Sequence, residues 1–371
     1  MISFGSGDAF PDILPDMVDA ATLALTRYRT ETLQYAPRAG LRELREWLAE
    51  HLQADGVAVG VERLMVINGA KHGLDLLCRL LLDDGDAVVV TAPTYFTAIP
   101  ILRSFGVRFV EIGQDAEGID VSALEERLGQ LEKPPKFIYD VPDFHNPTGI
   151  TQTRRRREAL LALAERHRIL VIEDSPYRNI RFEGESEPSL LALDRSGLVL
   201  GLGTFSKLVA PGLRVGWVVA PPEILARLAQ LKSDGGSSAL NQRIILEYAK
   251  SGRLAGQIER ARDTYRAHRD RMVTALRRDL PGVALTVPAG GYYVWLTLPG
   301  GLDGDTLTSR AAAAGVSIVA GSQFYAGPGA PHPSNQPSPR SHVRLAYSHA
   351  GLEQIDMGVH RFADAYRSLA G

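Results

Sequence analysis

Cysteine is nearly absent from this chain of 371 residues, which contains only Cys78. One cysteine cannot form an internal disulfide, so nothing in the sequence indicates an oxidising compartment. Cys78 lies in an apolar run and is predicted to be buried. The sequence also lacks an uninterrupted apolar stretch of about 20 residues, the length of a membrane-spanning helix. The first residues show no basic region followed by an apolar one, as a signal peptide would. We therefore expect a cytoplasmic protein.

A dominant sign of charge is missing too. The chain carries 41 basic and 43 acidic residues, for a net charge of −2. This balance gives no electrostatic reason to expect nucleic acid or a membrane as partner. The four consecutive arginines at 154–157 are the exception. They stand at the predicted start of a helix in a nearly neutral chain, which favours a solvated helix face over a nucleic-acid patch. No metal site is expected.

What the sequence does contain is an alternation of helical and strand patterns between residues 40 and 220. Apolar residues recur at helical spacing over 41–52 and 157–167. Short runs rich in β-branched residues typify strands that are buried on both faces. They lie at 64–67, 87–90, 137–141, 169–172, 198–202 and 215–219. This alternation predicts an α/β domain with a mainly parallel sheet.

After residue 221 the pattern changes. Helical sequence is predicted over 222–280, and strand patterns follow at 290–298 and 343–347. This favours a linker helix and a smaller α+β domain. Residues 327–340, rich in Pro, Gly and Ser, are predicted to form a loop. We interpret that loop either as a solvated connection or as a flap that influences specificity.

The most specific chemical signal is the segment 203–217. Lys207 lies just past a predicted strand, where α/β sheets bind ligands, and its amine can form a Schiff base with a carbonyl group. Thr204, Ser206 and Arg214 carry hydroxyl and guanidinium groups that suit a phosphate. A lysine and an arginine seven residues apart are usually surface charges, so the interpretation as a binding site depends on the whole segment 203–217.

Other motifs follow successive predicted strands. Asn68 and Gly69 open a helix after the strand at 64–67, and a helix N-terminus favours phosphate. Tyr95, Asn146 and Asp174 follow the strands at 87–90, 137–141 and 169–172. Taken singly, each has a plainer interpretation, namely a tight turn, a core aromatic or a structural carboxylate.

Together these motifs resemble the class I/II pyridoxal-phosphate (PLP) aminotransferases with the aspartate aminotransferase-like fold, above all the 2-aminoadipate and aromatic branch. The resemblance extends from Phe4 to about Tyr347. It implies fold type I, with a mainly parallel seven-stranded sheet and a smaller α+β domain. The implied division is an N-terminal segment 1–35, a large PLP-binding domain with the linker helix at 36–275, and a small domain at 276–371.

The resemblance also implies roles for individual residues. Lys207 would hold PLP as an imine and act as the catalytic acid and base. The residues implied to bind the cofactor are Tyr35, Ala70, Lys71, Tyr95, Asn146, Asp174, Tyr177, Thr204, Ser206, Lys207 and Arg214. Ala70 and Lys71 would act through their backbone N–H groups. Those implied to bind the substrate are Gly7, Asn146 and Arg344, with Arg344 on the α-carboxylate. Tyr35 would reach the cofactor of a partner subunit, which implies a homodimer with shared active sites.

The activity that this implies is transfer of the amino group of an L-amino acid to a 2-oxo acid, with 2-oxoglutarate as the expected acceptor, by a ping-pong mechanism. The same scaffold can run other PLP chemistry, such as decarboxylation, elimination or ring closure. It also serves as the effector domain of transcription regulators, but here the family fold begins at Ile2, so no DNA-binding module is expected ahead of it. An inactive scaffold is disfavoured by the complete residue set. His145 and Glu173, beside this set, are expected to be structural.

Overall fold

A computed structural model describes residues 1–327 and 338–370 of the chain. Residues 328–337, most of the loop predicted at 327–340, lie outside the described residues, so the flap hypothesis stays a prediction. Within the described residues, no helix is both long and apolar enough to cross a membrane.

The strands of the described residues form three sheets. In chain order they are β1 (Ile2–Ser3), β2 (Leu64–Ile67), β3 (Ala87–Ala92), β4 (Arg108–Asp115), β5 (Gly118–Ile119), β6 (Phe137–Asp140), β7 (Leu170–Asp174), β8 (Val199–Thr204), β9 (Gly216–Val219), β10 (Ala284–Thr286), β11 (Tyr293–Thr297), β12 (Val316–Ser317), β13 (Val319–Ala320) and β14 (His342–Ala346).

The helices surround these sheets. They are α1 (Val18–Thr26), α2 (Arg29–Thr32), α3 (Arg42–Ala54), α4 (Ala70–Leu81), α5 (Ala98–Arg103), α6 (Val121–Gly129), α7 (Arg154–His167), α8 (Leu190–Leu193), α9 (Pro222–Leu231), α10 (Ala239–Lys250), α11 (Arg253–Asp279), α12 (Gly304–Ala313) and α13 (Leu352–Ala370). Short 3-10 turns lie at Pro11–Ile13, Val61–Arg63, Pro211–Leu213, Gly321–Phe324 and Pro339–Ser341. The predicted helical stretch 222–280 is thus three helices, broken where Ser238 and Gly252 begin new ones.

The large sheet has the order β2-β9-β8-β7-β6-β3-β4-β5. Neighbouring strands from β8 to β4 pair in parallel, which confirms the mainly parallel α/β fold. The expected count of seven strands was wrong, because Gly118 and Ile119 fold back as an eighth strand, β5, antiparallel to β4. All six residues of β3 are buried. Such burial on both faces explains the unbroken apolar runs in the sequence.

Two apolar clusters cover the large sheet, one on each face. Leu74 and Leu77 of α4 pack against Val88 and Val90 on one face. Leu160 and Leu163 of α7 pack on the other face. The two layers of helices hold the strands rigidly, so the residues at the strand ends occupy fixed positions.

The second sheet has the order β10-β11-β14-β13, and its pairs are antiparallel. The segment before α1 joins this part of the molecule, because β1 pairs in parallel with β12. Phe4 is fully buried and continues this contact through its N–H, which donates to Ser317 O at 2.8 Å. The first residues are therefore tied to a strand more than 300 positions away.

Candidate functional site

A cavity of about 340 Å³ opens where the parallel strands of the large sheet end. The carboxyl edge of such a sheet is the usual place for a ligand. The cavity gathers every residue proposed from the sequence except Tyr35. Its walls include Gly7, Ala70, Lys71, Tyr95, Asn146, Asp174, Tyr177, Thr204, Ser206, Lys207, Arg214 and Arg344.

Lys207 lies in the connection between β8 and β9. Its backbone is held by Phe205, whose N–H donates to Val215 O at 3.0 Å. The Lys207 ammonium donates to Gly7 O at 2.7 Å and lies 5.1 Å from the centre of the Tyr292 ring. Burial lowers the pKa of Lys207 below its ordinary value. A lysine with a lowered pKa has more of its amine in the neutral, nucleophilic form.

One end of the cavity is built to hold an anion. Arg214, with φ of +52°, donates to Asn68 O at 2.8 Å and to Ser206 Oγ at 3.5 Å. The Thr204 hydroxyl donates to Ser206 Oγ at 2.9 Å. The N-terminus of α4 adds the free backbone N–H groups of its first turn. Gly69 precedes it with φ of +84°, and a Cβ there would lie 2.6 Å from the Arg214 guanidinium. Only glycine therefore allows the arginine to come this close.

Asp174 ends β7 and carries a buried carboxylate. Its Oδ2 accepts a hydrogen bond of 2.7 Å from the Tyr139 hydroxyl. Its Oδ1 is buried without a hydrogen-bond partner among the described residues. Burial raises the pKa of Asp174 to about 6, although the bond from Tyr139 acts in the opposite direction. A buried carboxylate with a vacant acceptor is costly unless a cation or donor meets it.

Arg344 lies at the opposite end of the cavity on β14. Its Nη1 donates to Asn146 Oδ1 at 2.9 Å and its Nη2 to Gly5 O at 2.5 Å. The guanidinium is almost fully buried and lies 4.0 Å from the centre of the Tyr293 ring. Burial lowers the pKa of Arg344, but an arginine keeps its charge. No carboxylate of the described residues forms a salt bridge with it. The geometry leaves this cation ready for an anionic ligand.

Two tyrosines complete the wall between these ends. The Tyr177 hydroxyl lies 3.1 Å from that of Tyr293, and burial raises the pKa of Tyr177 well above its ordinary value. Burial raises the pKa of Tyr95 to about 12. Both hydroxyls are therefore protonated at neutral pH and can donate a hydrogen bond.

Comparison with known proteins matches residues 1–362 to the model of the family "Aminotransferase class I and II". The chain belongs to the class I and II aminotransferases. It is 34% identical to aromatic-amino-acid aminotransferase 1 of Thermococcus litoralis, over 99% of this chain and 88% of that protein. It is 35% identical to the 2-aminoadipate transaminase of Thermus thermophilus, over 100% and 91%. Among solved structures, the kynurenine aminotransferase of Pyrococcus horikoshii, in complex with PMP, superposes with a TM-score of 0.93 at 34% identity, covering 99% of this chain and 91% of that one.

The aminotransferase moves an amino group from an amino acid to a 2-oxo acid, with PLP as cofactor. The cavity fits this cofactor. The free Oδ1 of Asp174 matches a protonated pyridine nitrogen, and the free Nδ2 of Asn146 matches a phenolic oxygen. The anion-binding end around Arg214 matches a phosphate. Asp174 Oδ1 and Asn146 Nδ2 are buried without a hydrogen-bond partner among the described residues, so the cofactor would supply the missing partners.

Tyr35 is the one proposed site residue that lies outside the cavity of this aminotransferase. It is 88% exposed, beside the turn at Gly235. The expectation that Tyr35 reaches the cofactor of a partner subunit therefore stays a prediction.

Two tyrosines at the site escaped the sequence analysis, one in the cavity wall and one behind it. Tyr293 touches Arg344 and Tyr177, and Tyr139 holds Asp174. The strand pattern at 290–298 and the strand at 137–141 were recognised, but a tyrosine in a buried strand looks the same whether it faces a core or a site. Gly7 was expected to bind the substrate, but the contacts of Gly5 O with Arg344 and of Gly7 O with Lys207 are made by the backbone and leave no side-chain signal.

The neighbours of the site residues have the structural roles expected for them. Glu173 accepts the N–H groups of Leu190 and Leu191 at 3.0 and 2.9 Å, at the start of α8. The His145 ring contacts Thr148 Oγ1 and Thr91 Oγ1 at 2.9 and 3.1 Å. Burial lowers its pKa to about 3. It is therefore a neutral, buried support of the turn before Asn146.

The arginine run at 154–157 was only partly interpreted correctly. Arg154 and Arg155 are exposed, but Arg157 is fully buried. Its Nη2 donates to Asp143 Oδ1 at 2.8 Å, and its Nε donates to Gln152 O at 2.9 Å. Arg157 lies one helical turn before Leu160, on the inward face of α7, and so joins the core instead of the solvated face.

Proposed function

We propose that Lys207 is the catalytic residue and the covalent attachment point of the cofactor. The supporting observation is its amine, which lies in the cavity with a lowered pKa and contacts Gly7 O at 2.7 Å. When bound, PLP supplies a conjugated ring that accepts the electron pair left on the substrate Cα. Once the substrate amino group has displaced Lys207 from the cofactor, the freed amine would take the proton from Cα and deliver it to C4′.

We propose that the cofactor residues divide into two groups. Thr204, Ser206 and Arg214, with the backbone N–H groups of Ala70 and Lys71, hold the phosphate. Around the ring, Tyr95 would pack against one face, and Asn146 and Tyr177 would donate hydrogen bonds to the phenolic oxygen. Asp174 would accept a hydrogen bond from the protonated ring nitrogen, and its negative charge would keep that nitrogen protonated and the ring an electron acceptor. Its buried carboxylate supports this role, because a cation there offsets the cost of burial.

For the substrate, we propose that Arg344 binds the α-carboxylate, assisted by Asn146 and by the backbone at Gly7. The planar fork of an arginine matches a carboxylate in two parallel hydrogen bonds. The carboxylate then places the α-carbon between Arg344 and Lys207. The expected acceptor of the amino group is 2-oxoglutarate, on the strength of the resemblance alone.

We propose that the enzyme works in the cytoplasm as a homodimer in which Tyr35 of each subunit reaches the cofactor phosphate of the other. The exposure of Tyr35 supports the dimer. The single cysteine, Cys78, is buried, which agrees with a compartment where disulfides play no part.

We also propose a division of the chain into the segment 1–35, a large domain at 36–275 and a small domain at 276–371. The large sheet lies wholly within the second range, and the sheet of β10, β11, β13 and β14 lies within the third. Helix α11 runs across the boundary at 275 and links the two. The pairing of β1 with β12 supports packing of the N-terminal segment on the small domain.

Borohydride reduction of the holoenzyme tests the assignment of Lys207. We expect the cofactor to be fixed to Lys207 and to be found on the peptide that contains it. Lys71→Ala is the matched control, because Lys71 also lines the cavity. The Lys71→Ala protein should keep the label and Lys207→Ala should lose it; a label on Lys71 would overturn the assignment. Conversion of the bound cofactor to its aminated form by an L-amino acid then separates amino transfer from decarboxylation or elimination.

A further inference from the structure

An acidic side chain stands in the cavity wall with no part in the machinery described above. Asp8 lines the cavity next to Gly7, whose carbonyl oxygen holds the Lys207 amine. Its Oδ2 accepts a hydrogen bond of 2.5 Å from the Ser6 hydroxyl, and its backbone oxygen accepts one of 2.7 Å from Ser348 Oγ. The first bond ties the exposed carboxylate to Ser6, and the second anchors the backbone of residue 8 at the cavity wall.

The segment that carries Asp8 runs along the path of the substrate. Gly5 O contacts Arg344, and Gly7 O contacts Lys207. A substrate with its α-carboxylate on Arg344 and its α-carbon near Lys207 therefore lies alongside residues 5–8. The negative charge of Asp8 acts on Lys207 and favours its ammonium form, which opposes the lowering of its pKa by burial. A charged group on the substrate side chain would feel the same field.

The positive charges of the cavity are already assigned. Among the described lining residues, the cations are Lys71, Lys207, Arg214 and Arg344. Arg214 and Lys71 lie at the phosphate end, Lys207 at the cofactor and Arg344 at the α-carboxylate. Beyond these four, the described lining offers a side-chain carboxylate neutral groups, such as Phe96 and Thr97, and two acidic residues. Of the two, Asp174 is assigned to the cofactor ring, and Asp8 is unassigned.

We propose that Asp8 is a specificity residue that disfavours substrates with a second carboxylate and favours those with a neutral or basic side chain. The proposal rests on the placement of the α-carboxylate on Arg344 given under Proposed function. Asp8 acts on both half-reactions, because donor and acceptor occupy the same cavity in turn. Dicarboxylic acceptors such as 2-oxoglutarate therefore bind less tightly than they would without this charge.

The test compares charge, not shape, at residue 8. Asp8→Asn removes the charge and keeps the size, whereas Asp8→Glu keeps the charge. Asp12→Asn is the matched control, because Asp12 lies on the same segment, is exposed and does not line the cavity. The holoenzymes are compared in the half-reaction with L-glutamate and L-glutamine, and with L-lysine and L-norleucine.

In Asp8→Asn we expect the kcat/KM ratio of glutamate to glutamine to rise and that of lysine to norleucine to fall, each by roughly three- to tenfold, since a partly solvated charge acts weakly. Both effects should shrink at high salt, where charges are screened. Asp8→Glu and Asp12→Asn should keep the wild-type ratios. Opposite changes for an acid and a base identify a charge effect, which a loss of shape or stability does not produce.

Binding of unreactive acids provides a second measurement that does not depend on turnover. The dissociation constant of glutarate divided by that of pentanoate, followed by the cofactor spectrum or by thermal stabilisation, should fall in Asp8→Asn. Unchanged ratios in both measurements would overturn the role of Asp8 and leave the aminotransferase assignment intact. If the wild-type cofactor is aminated by none of the donors, amino transfer as proposed fails, and the glutarate comparison still decides the role of Asp8.

Discussion

Arg344 shows how a single residue links the two halves of the site. It belongs to the small sheet, yet its guanidinium donates to Asn146, which follows a strand of the large sheet. The ring of Tyr293 covers one face of the guanidinium at 4.0 Å. The flat cation is therefore oriented before any ligand arrives, and little freedom is lost when a carboxylate binds.

Arg344→Lys should separate substrate binding from cofactor binding. A lysine keeps the charge but cannot form the paired hydrogen bonds, which we expect to cost about 2–5 kcal/mol. The kcat/KM of every amino donor should then fall by roughly 30- to 4000-fold. Steady-state kinetics measure this, and the cofactor spectrum should stay unchanged. The control is Arg340→Lys, an exposed arginine paired with Asp303. A kcat/KM in Arg344→Lys within threefold of wild type would remove Arg344 from the substrate site.

Individual side chains were predictable from the sequence when a motif surrounded them. Lys207, Asp174 and Asn146 each follow a recognisable strand, and the structure brings them into one cavity. Tyr139 and Tyr293 were not predictable, because their contribution depends on which strand lies beside which. Strand order is set by long-range packing, which a local pattern does not contain.

At the scale of elements, the proposed site residues lie at the ends of strands, and the buried apolar middles of those strands fix where the ends lie. Asp174 ends β7, Thr204 ends β8, and Ala92 precedes the turn that carries Tyr95. The strand runs were correctly predicted because fully buried strands have unbroken apolar sequence. The two-residue strand β5 was missed, since Gly118 and Ile119 are too short to show any periodicity.

The end of β6 places an ionisable group in an unfavourable environment. Asp140 is buried, and its Oδ2 has no hydrogen-bond partner among the described residues. Burial raises the pKa of Asp140 from 3.8 to about 7; the nearby Arg157 opposes this, while Glu173 and Asp143 add to it. The pKa of Asp140 is higher in the folded protein than in the unfolded chain, so protonation of Asp140 favours folding. The contribution of Asp140 to the free energy of unfolding is fully present below pH 3.8 and is lost as the pH rises through about 7.

Asp140→Asn should therefore stabilise the protein in a pH-dependent way. The amide cannot ionise, so the variant should exceed wild type in free energy of unfolding by about 1–3 kcal/mol at pH 8 and by less at pH 5. Urea denaturation at the two pH values measures the difference. Glu185→Gln, at an exposed position, serves as the control and should show no such trend. An equal margin at pH 5 and pH 8 would contradict the burial of an ionised carboxylate here.

At the scale of the whole molecule, the proposed dimer determines whether each site is complete. Lys207 belongs to the cavity of its own chain, whereas the exposed Tyr35 would complete the cavity of the other chain. Two different defective chains can then share one intact site within a mixed dimer. Dimers related by twofold symmetry have two such sites.

Mixing Lys207→Ala with Tyr35→Ala should restore activity that neither variant has in full. If the two chains exchange at random, half of the dimers are mixed and each has one intact site, so about a quarter of wild-type activity should return. Rates are measured before and after refolding the variants together. The control is each variant refolded alone. Activity equal to the average of the two separate proteins would show that Tyr35 does not act across the dimer.

The pairing of β1 with β12 also has a consequence for how the enzyme is made. During translation, Gly5 leaves the ribosome 339 residues before Arg344, the side chain that it contacts. Domains tend to fold as units while the chain emerges, so the large sheet can form while the strand that receives Ile2 and Ser3 is still unsynthesised. The nascent enzyme would then pass through a stage at which Lys207 is in place but its Gly7 contact is not. Active-site assembly therefore waits until β12 and Arg344 have been synthesised, and catalysis is delayed until that point.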